Sequence, residues 1–197
     1  MVNLISISDF TAPYNVPFLN LNTSIIDEII SQYQKEILVS ILGIIEYTNF
    51  ENDFVAGVPV TQKWLDFLNG KSYDLISDNG NTITVNYKGV KPILIKMLYY
   101  FVMRGLHTVA ANSTEIKFNN ENAKTELPAQ KMIMSWKQGL DLIGYDCKYL
   151  FEQYEPPSAI SDFEKYKPTA YNFLYQTYKT DFPDWNYSYL GTLTQVL

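Results

Sequence analysis

The chain holds one histidine and one cysteine, so nucleophilic or metal chemistry has few places to start. His107 closes an apolar stretch. An imidazolium there suits the negative end of a helix dipole, which reads as a capping or core role. Cys147 lies on an apolar seam and reads as a core thiol. Spacing leaves a Cys–His pair open, but no local feature points to one. One residue of each kind is too few for a His-rich metal site, a Cys–His zinc finger or a disulfide within the chain. Carboxylates pair at Asp27 and Glu28, at Glu51 and Asp53, and at Asp162 and Glu164. The second pair flanks a loop and could hold a hard cation, yet each pair reads first as solvated structural acids. The chain has no G-x-S-x-G, no phosphate-cradling glycine loop and no G-x-G-x-x-G. Lys88, Lys91 and Lys96 form no compact basic run. No catalytic residue, cofactor or metal is therefore expected, and the candidate site residues are sought among those that could bind a partner.

The elements that would position such residues can be traced along the chain. Residues 1–21 hold Pro13 and Pro17 and no helical period. They read as an extended arm with anchors Phe10, Tyr14, Phe18 and Leu19. Ser24-Ile-Ile-Asp27 gives a capping-box-like start. Ile26, Ile30, Tyr33, Ile37 and Ile41 then mark one helical face, widened by Ile25, Ile29 and Leu38. Gly43 sits where a glycine would stop this helix. Residues 44–60 are mixed. Thr61 can cap a short helix with Trp64, Leu65 and Leu68, ended by Asn69-Gly70. A hairpin is expected over 72–87. Ile83, Val85 and Tyr87 share one face of its second strand, and the Asp-Asn-Gly tip tolerates positive φ.

Residues 92–107 are apolar almost all round, as in a helix surrounded by partners. Residues 109–124 are polar and too long for a plain connector. Pro128 opens a helix whose seam runs Ile133, Trp136, Leu140, Ile143, Cys147, Leu150 and Tyr154 up to Pro156, spaced to pack on helices of the same domain. Ten aromatic residues follow beyond Pro157, from Phe163 to Tyr189. A short helix is possible over 161–178, with Pro168 breaking or restarting it. The expected class is mainly α: a helical bundle with a small β-hairpin, a long helix in the C-terminal half and extended terminal arms. The arm is 1–21, the core 22–155, and the aromatic-rich extension 156–197.

Composition sharpens this picture. The 197 residues suit one domain with arms, and 15 Lys+Arg against 21 Asp+Glu leave a net charge of -6. That balance argues against a free-standing nucleic-acid binder, which needs a basic footprint. Charged residues are scarce at 18% while aromatics reach 15%, with 16 Tyr among them. Tyr is enriched at interfaces, so the balance suits a subunit that buries much of its surface against neighbours. The start of the chain lacks the basic residues of a signal peptide. The apolar run Ile93 to Val102 contains Lys96 and is too short to span a bilayer. A cytoplasmic product with no membrane association is expected.

The segment Ile29-Ile-Ser-Gln-Tyr-Gln-Lys-Glu-Ile-Leu-Val-Ser-Ile-Leu-Gly43 is followed by Trp64-Leu-Asp-Phe-Leu-Asn-Gly70. Then come Tyr87-Lys-Gly-Val-Lys-Pro-Ile-Leu-Ile-Lys-Met-Leu-Tyr-Tyr-Phe101, Asn119-Asn-Glu-Asn-Ala-Lys124 and a long helix. This order resembles the head–tail connector (adaptor or neck ring) proteins of tailed bacteriophages, of the kind found in Bacteroidetes-infecting and crAss-like phages. The resemblance spans roughly residues 22–154. It implies a non-enzymatic virion protein made in the host cytoplasm, forming a ring, commonly twelvefold, beneath the portal. The implied partners are other copies of itself, the portal protein and the next neck or tail protein. Genomic DNA would pass through without sequence-specific binding. An acidic chain suits a channel wall that must not grip phosphate.

The expected interface residues are Phe182, Trp185, Tyr187, Tyr189 and Leu190 in the tail, since aromatic anchors dominate interfaces. Ile116 and Phe118 are expected to serve the same role in the polar arm. The alternatives are a tail-completion or stopper protein of the neck, a cofactor-free enzyme or small-ligand-binding helical domain, and a monomeric regulatory domain.

Overall fold

A computed structural model describes residues 3–16, 23–76, 80–112, 128–144 and 167–181, with the backbone alone at 107–112, 128 and 179. Among these residues the protein is mainly helical, with two small antiparallel strand pairs. The elements are α1 (Thr23–Asn52), β1 (Phe54–Val55), β2 (Val58–Pro59), α2 (Gln62–Asn69), β3 (Lys71–Ile76), β4 (Thr82–Tyr87), α3 (Lys91–Asn112), α4 (Pro128–Ile143) and α5 (Ala170–Tyr178).

Helix α3 sits at the centre. Ile93, Leu94, Met97, Leu98, Phe101 and Val102 are all buried, as its nearly unbroken apolar sequence requires. Helix α1 covers one side with Ile26, Ile30, Ile37, Leu38 and Ile41, and Tyr33 stacks on Phe101 at 3.7 Å. Gly43 (φ 76) breaks the helix where expected, but the chain turns helical again over 44–52. That second half was not legible, since residues 44–60 carry no clean period. It brings Phe50 edge-on to Phe54, Trp64 and Phe67 at 5.0, 5.2 and 5.8 Å.

Helix α4 covers another side of α3. It stops at Ile143, where Gly144 turns left-handed (φ 88), so the helix expected over 128–155 is shorter and α3 exceeds it. Its buried face is Met132, Ser135, Trp136 and Ile143, whereas Ile133 is 39% exposed. The expected seam began one residue out of phase. Cys147, Leu150 and Tyr154 lie outside the described residues.

A buried amide on α1 holds the start of the N-terminal arm. Gln34, in the apolar stripe of α1, accepts the backbone N–H groups of Leu4 and Ile5 at 2.8 and 3.1 Å. Ile5, Phe10 and Val16 are buried beside it. Residues 7–9 form a 3-10 turn within the arm that was expected to be extended. The hairpin pairs Lys71 with Tyr87 and Ile76 with Thr82. Its buried face is held by α5, where Phe173 stacks on Tyr87 at 4.4 Å and meets Tyr73 at 5.8 Å. Helix α5 begins just after Pro168, with Thr169 accepting the Asn172 N–H. Tyr171 and Phe173 are fully buried. This part of the aromatic segment belongs to the core.

Two glycines join the hairpin to the helices. Gly70 (φ +89) and Gly89 (φ +83) face each other so closely that a Cβ on Gly89 would lie 2.4 Å from the Leu68 carbonyl oxygen. The Val90 N–H reaches the Phe67 carbonyl at 3.0 Å across the same junction. Gly89→Ala adds both a clash and a left-handed alanine, and is expected to cost about 2–4 kcal/mol by urea unfolding. The β1–β2 turn carries the opposite opportunity. Ala56 (φ 52) and Gly57 (φ 85) are both left-handed, as a type I′ turn requires. Ala56→Asn supplies the preferred residue, and about 0.5–1 kcal/mol of added stability is expected in the same assay.

Candidate functional site

The acids that sequence analysis weighed as ligands serve other ends. Asp53 Oδ2 accepts the N–H groups of Val60 and Thr61 at 2.9 and 2.8 Å, and its other oxygen accepts the Thr61 hydroxyl. It closes the β1–β2 hairpin onto the start of α2. Burial pushes its carboxyl up, but the hydrogen bonds from Thr61 and Val60 outweigh this and hold it below its ordinary value. Glu51 lies by Tyr47. Burial and then this carboxylate push the Tyr47 phenol up to about 12. Asp27 and Glu28 are exposed on α1, and Asp162 and Glu164 lie outside the described residues. No group of three or more His, Cys, Asp or Glu among the described residues could hold a metal ion.

Two polar clusters were not anticipated. Asp66 is buried on α2 and accepts hydrogen bonds from Gln62 Nε2 at 2.6 Å, Lys71 Nζ at 2.7 Å and the Tyr178 hydroxyl at 2.5 Å. One carboxylate thus ties α2 to the hairpin and to the end of α5. The signal was faint, because an aspartate one turn along from a glutamine in a short amphipathic helix resembles any solvated pair. The second cluster is at Lys96. Its Nζ donates to the Tyr14 hydroxyl and to Gln138 Oε1, each at 2.7 Å, and the Tyr14 hydroxyl donates to the same Gln138 oxygen. The partners of Lys96 are thus neutral oxygens and the Tyr14 ring, 4.5 Å away. The network ties the N-terminal arm to α3 and α4.

A cavity of about 280 Å3 adjoins Lys96, with walls from Tyr87, Lys88, Pro92, Ile93, Leu142 and Pro168. It is small beside ordinary ligand pockets. The Tyr87 hydroxyl donates to the Phe67 carbonyl at 3.3 Å, and burial pushes that phenol well above its usual value. Among the described residues the ionisable groups of this wall are Tyr87, Lys88 and Lys96.

The surface is more informative. Ile44, Ile45, Val55, Val58 and Val60 are each more than half exposed, and all fall within residues 44–60. A second exposed pair, Ile133 and Met134, lies on α4, and Ile76 lies on the hairpin. Sequence analysis missed all of these positions. Its chosen residues, Phe182, Trp185, Tyr187, Tyr189, Leu190, Ile116 and Phe118, lie outside the described residues. His107 falls within α3. No protein-family model matches the chain, and no curated protein or solved structure is recognisably similar to it. No helix among the described residues is long and apolar enough to cross a membrane.

The Asp66 cluster makes stability depend on pH in a defined sense. Burial pushes the Asp66 carboxyl up, but hydrogen bonds from Lys71, Tyr178 and Gln62 outweigh it and hold the carboxyl below its ordinary value. The bond to Asp66 raises Lys71, while burial and then the same bond raise Tyr178. The contribution of a depressed acid is complete above its unfolded value near pH ~4 and fades below it. That of the raised Lys71 and Tyr178 is complete below about pH 10 and fades above. Asp66→Asn is expected to cost about 2–3 kcal/mol near neutrality. It should also flatten the fall in urea midpoint between about pH 5 and pH 2.

Proposed function

We propose that the chain is a structural subunit of a tailed-phage neck, forming a ring between portal and tail that continues the DNA channel. The observation that supports it is the surface. Exposed aliphatic side chains gather on residues 44–60 and on α4, where a protein that stays alone would keep polar cover. The buried acid Asp66, the lysine Lys96 and the buried amide of Gln34 are engaged in holding elements together. The reading draws on the resemblance of the segment order over residues 22–154 to connector proteins, and the net charge of -6 suits a wall past which DNA slides. In this reading the segment beyond Asp181, with Phe182, Trp185, Tyr187, Tyr189 and Leu190, docks on the portal or on a neighbouring copy.

The small-ligand alternative rests on the cavity beside Lys96, and the stopper alternative shares the same virion location. Native mass spectrometry with and without the cognate portal separates these readings. A discrete high-mass ring or portal complex is expected, against a 22.8 kDa monomer for a ligand-binding domain. A chain ending at Asp181 keeps α5 and its contacts with Tyr73, Tyr87 and Asp66. It should retain the far-ultraviolet spectrum and urea midpoint of the full chain while losing portal binding. Unchanged portal binding by the shortened chain would reject the docking role of the tail.

A further inference from the structure

The two exposed apolar faces differ in charge as well as position. Residues 44–60 carry Glu46, Glu51 and Asp53 and no lysine or arginine. They act as one body, because Phe50 meets Phe54 at 5.0 Å and Asp53 closes the hairpin. From this body project Ile45 at 63% exposure, Val55 at 65% and Val58 at 55%. On α4 the exposed pair Ile133 and Met134 is flanked by Lys131 and Lys137, with Asp141 one turn on. Residues three and four apart are neighbours on a helix surface, so Ile133, Met134 and Lys137 form one patch. With Lys63 beside Asp53 and Lys35 over the Tyr47 ring, the first face is apolar with a slight acidic excess; the second is apolar with a slight basic excess.

We propose that these two faces bind each other between copies of this chain, residues 44–60 of one copy seating on α4 of the next. Apolar contact supplies the attraction and the opposite charges set orientation. Because the faces are different, the contact is heterologous. Such a contact propagates until it closes into a ring or continues as a filament. An acidic face would repel a second acidic face, which disfavours a two-fold dimer through residues 44–60 alone. The inference rests on the neck-ring reading only for its premise that copies touch, and it adds which surfaces meet.

The test mixes two variants of the full chain. Ile45→Asp spoils the first face and leaves α4 intact; Met134→Asp does the reverse. Both side chains are more than half exposed, so folding should persist, checked by circular dichroism; the milder Ile45→Ser and Met134→Ser serve as a second pair. In sedimentation velocity the unaltered chain should form species larger than a dimer. Each single variant should self-associate more than about tenfold more weakly. An equimolar mixture should form a one-to-one dimer that grows no further, because only one good contact remains. Variants that assemble like the unaltered chain, a mixture that stays monomeric, or an unaltered chain that stays monomeric would each overturn the inference. Localisation of the protein in the phage neck, with both variants still assembling, would overturn these surfaces while leaving the neck reading intact. Restored pairing by a protein absent from the neck would do the opposite.

Discussion

The structure depends on the need of helix α3 for cover on nearly every side. Its residues from Ile93 to Val102 are almost all apolar and buried, so no single neighbour suffices. Helix α1 takes one side and α4 another, while the N-terminal arm closes over Lys96. The hairpin and α5 complete the body at the end where α3 begins. Each of these elements is too short or too weakly amphipathic to persist without that shared core. Their polar groups then mark the seams. Gln34 secures the arm, Lys96 joins arm to α4, and Asp66 joins α2 to the hairpin and α5.

This use of polar groups bears on function. Gln34, Asp66 and Lys96 each hold together parts of the chain distant in sequence. A buried acid among three donors, or a lysine among neutral oxygens, has its hydrogen bonds met by the fold. What remains available is apolar surface, held rigidly by the Asp53 closure and the Phe50 cluster.

Periodicity made α1 to Gly43, α2, the hairpin and α3 legible, because an apolar stripe or an alternation needs only local residues. The end of α1 was not. Gly43 breaks the helix, and the continuation over 44–52 is held by Phe50 among Trp64 and Phe67, a contact no local pattern announces. In α4 the seam was read from Ile133, yet Met132 faces the core. The two adjacent residues are almost equally apolar, and only α3 decides between them. Gly144 also ends the helix while the apolar spacing runs on. The candidate contact faces were hidden for the same reason. Val55, Val58 and Val60 look like core residues until the fold leaves them outside.

The sequence by itself determined the helical class, the hairpin with its inward face and the central apolar helix. These follow from residue type and spacing, which act locally. The tertiary structure alone decided which polar side chains became fasteners, since Gln34 and Leu4, or Asp66 and Tyr178, meet only after the helices pack. It also decided which apolar residues stayed in water. Burial is a property of the assembled body, and a valine carries no mark of which side of that body it will occupy.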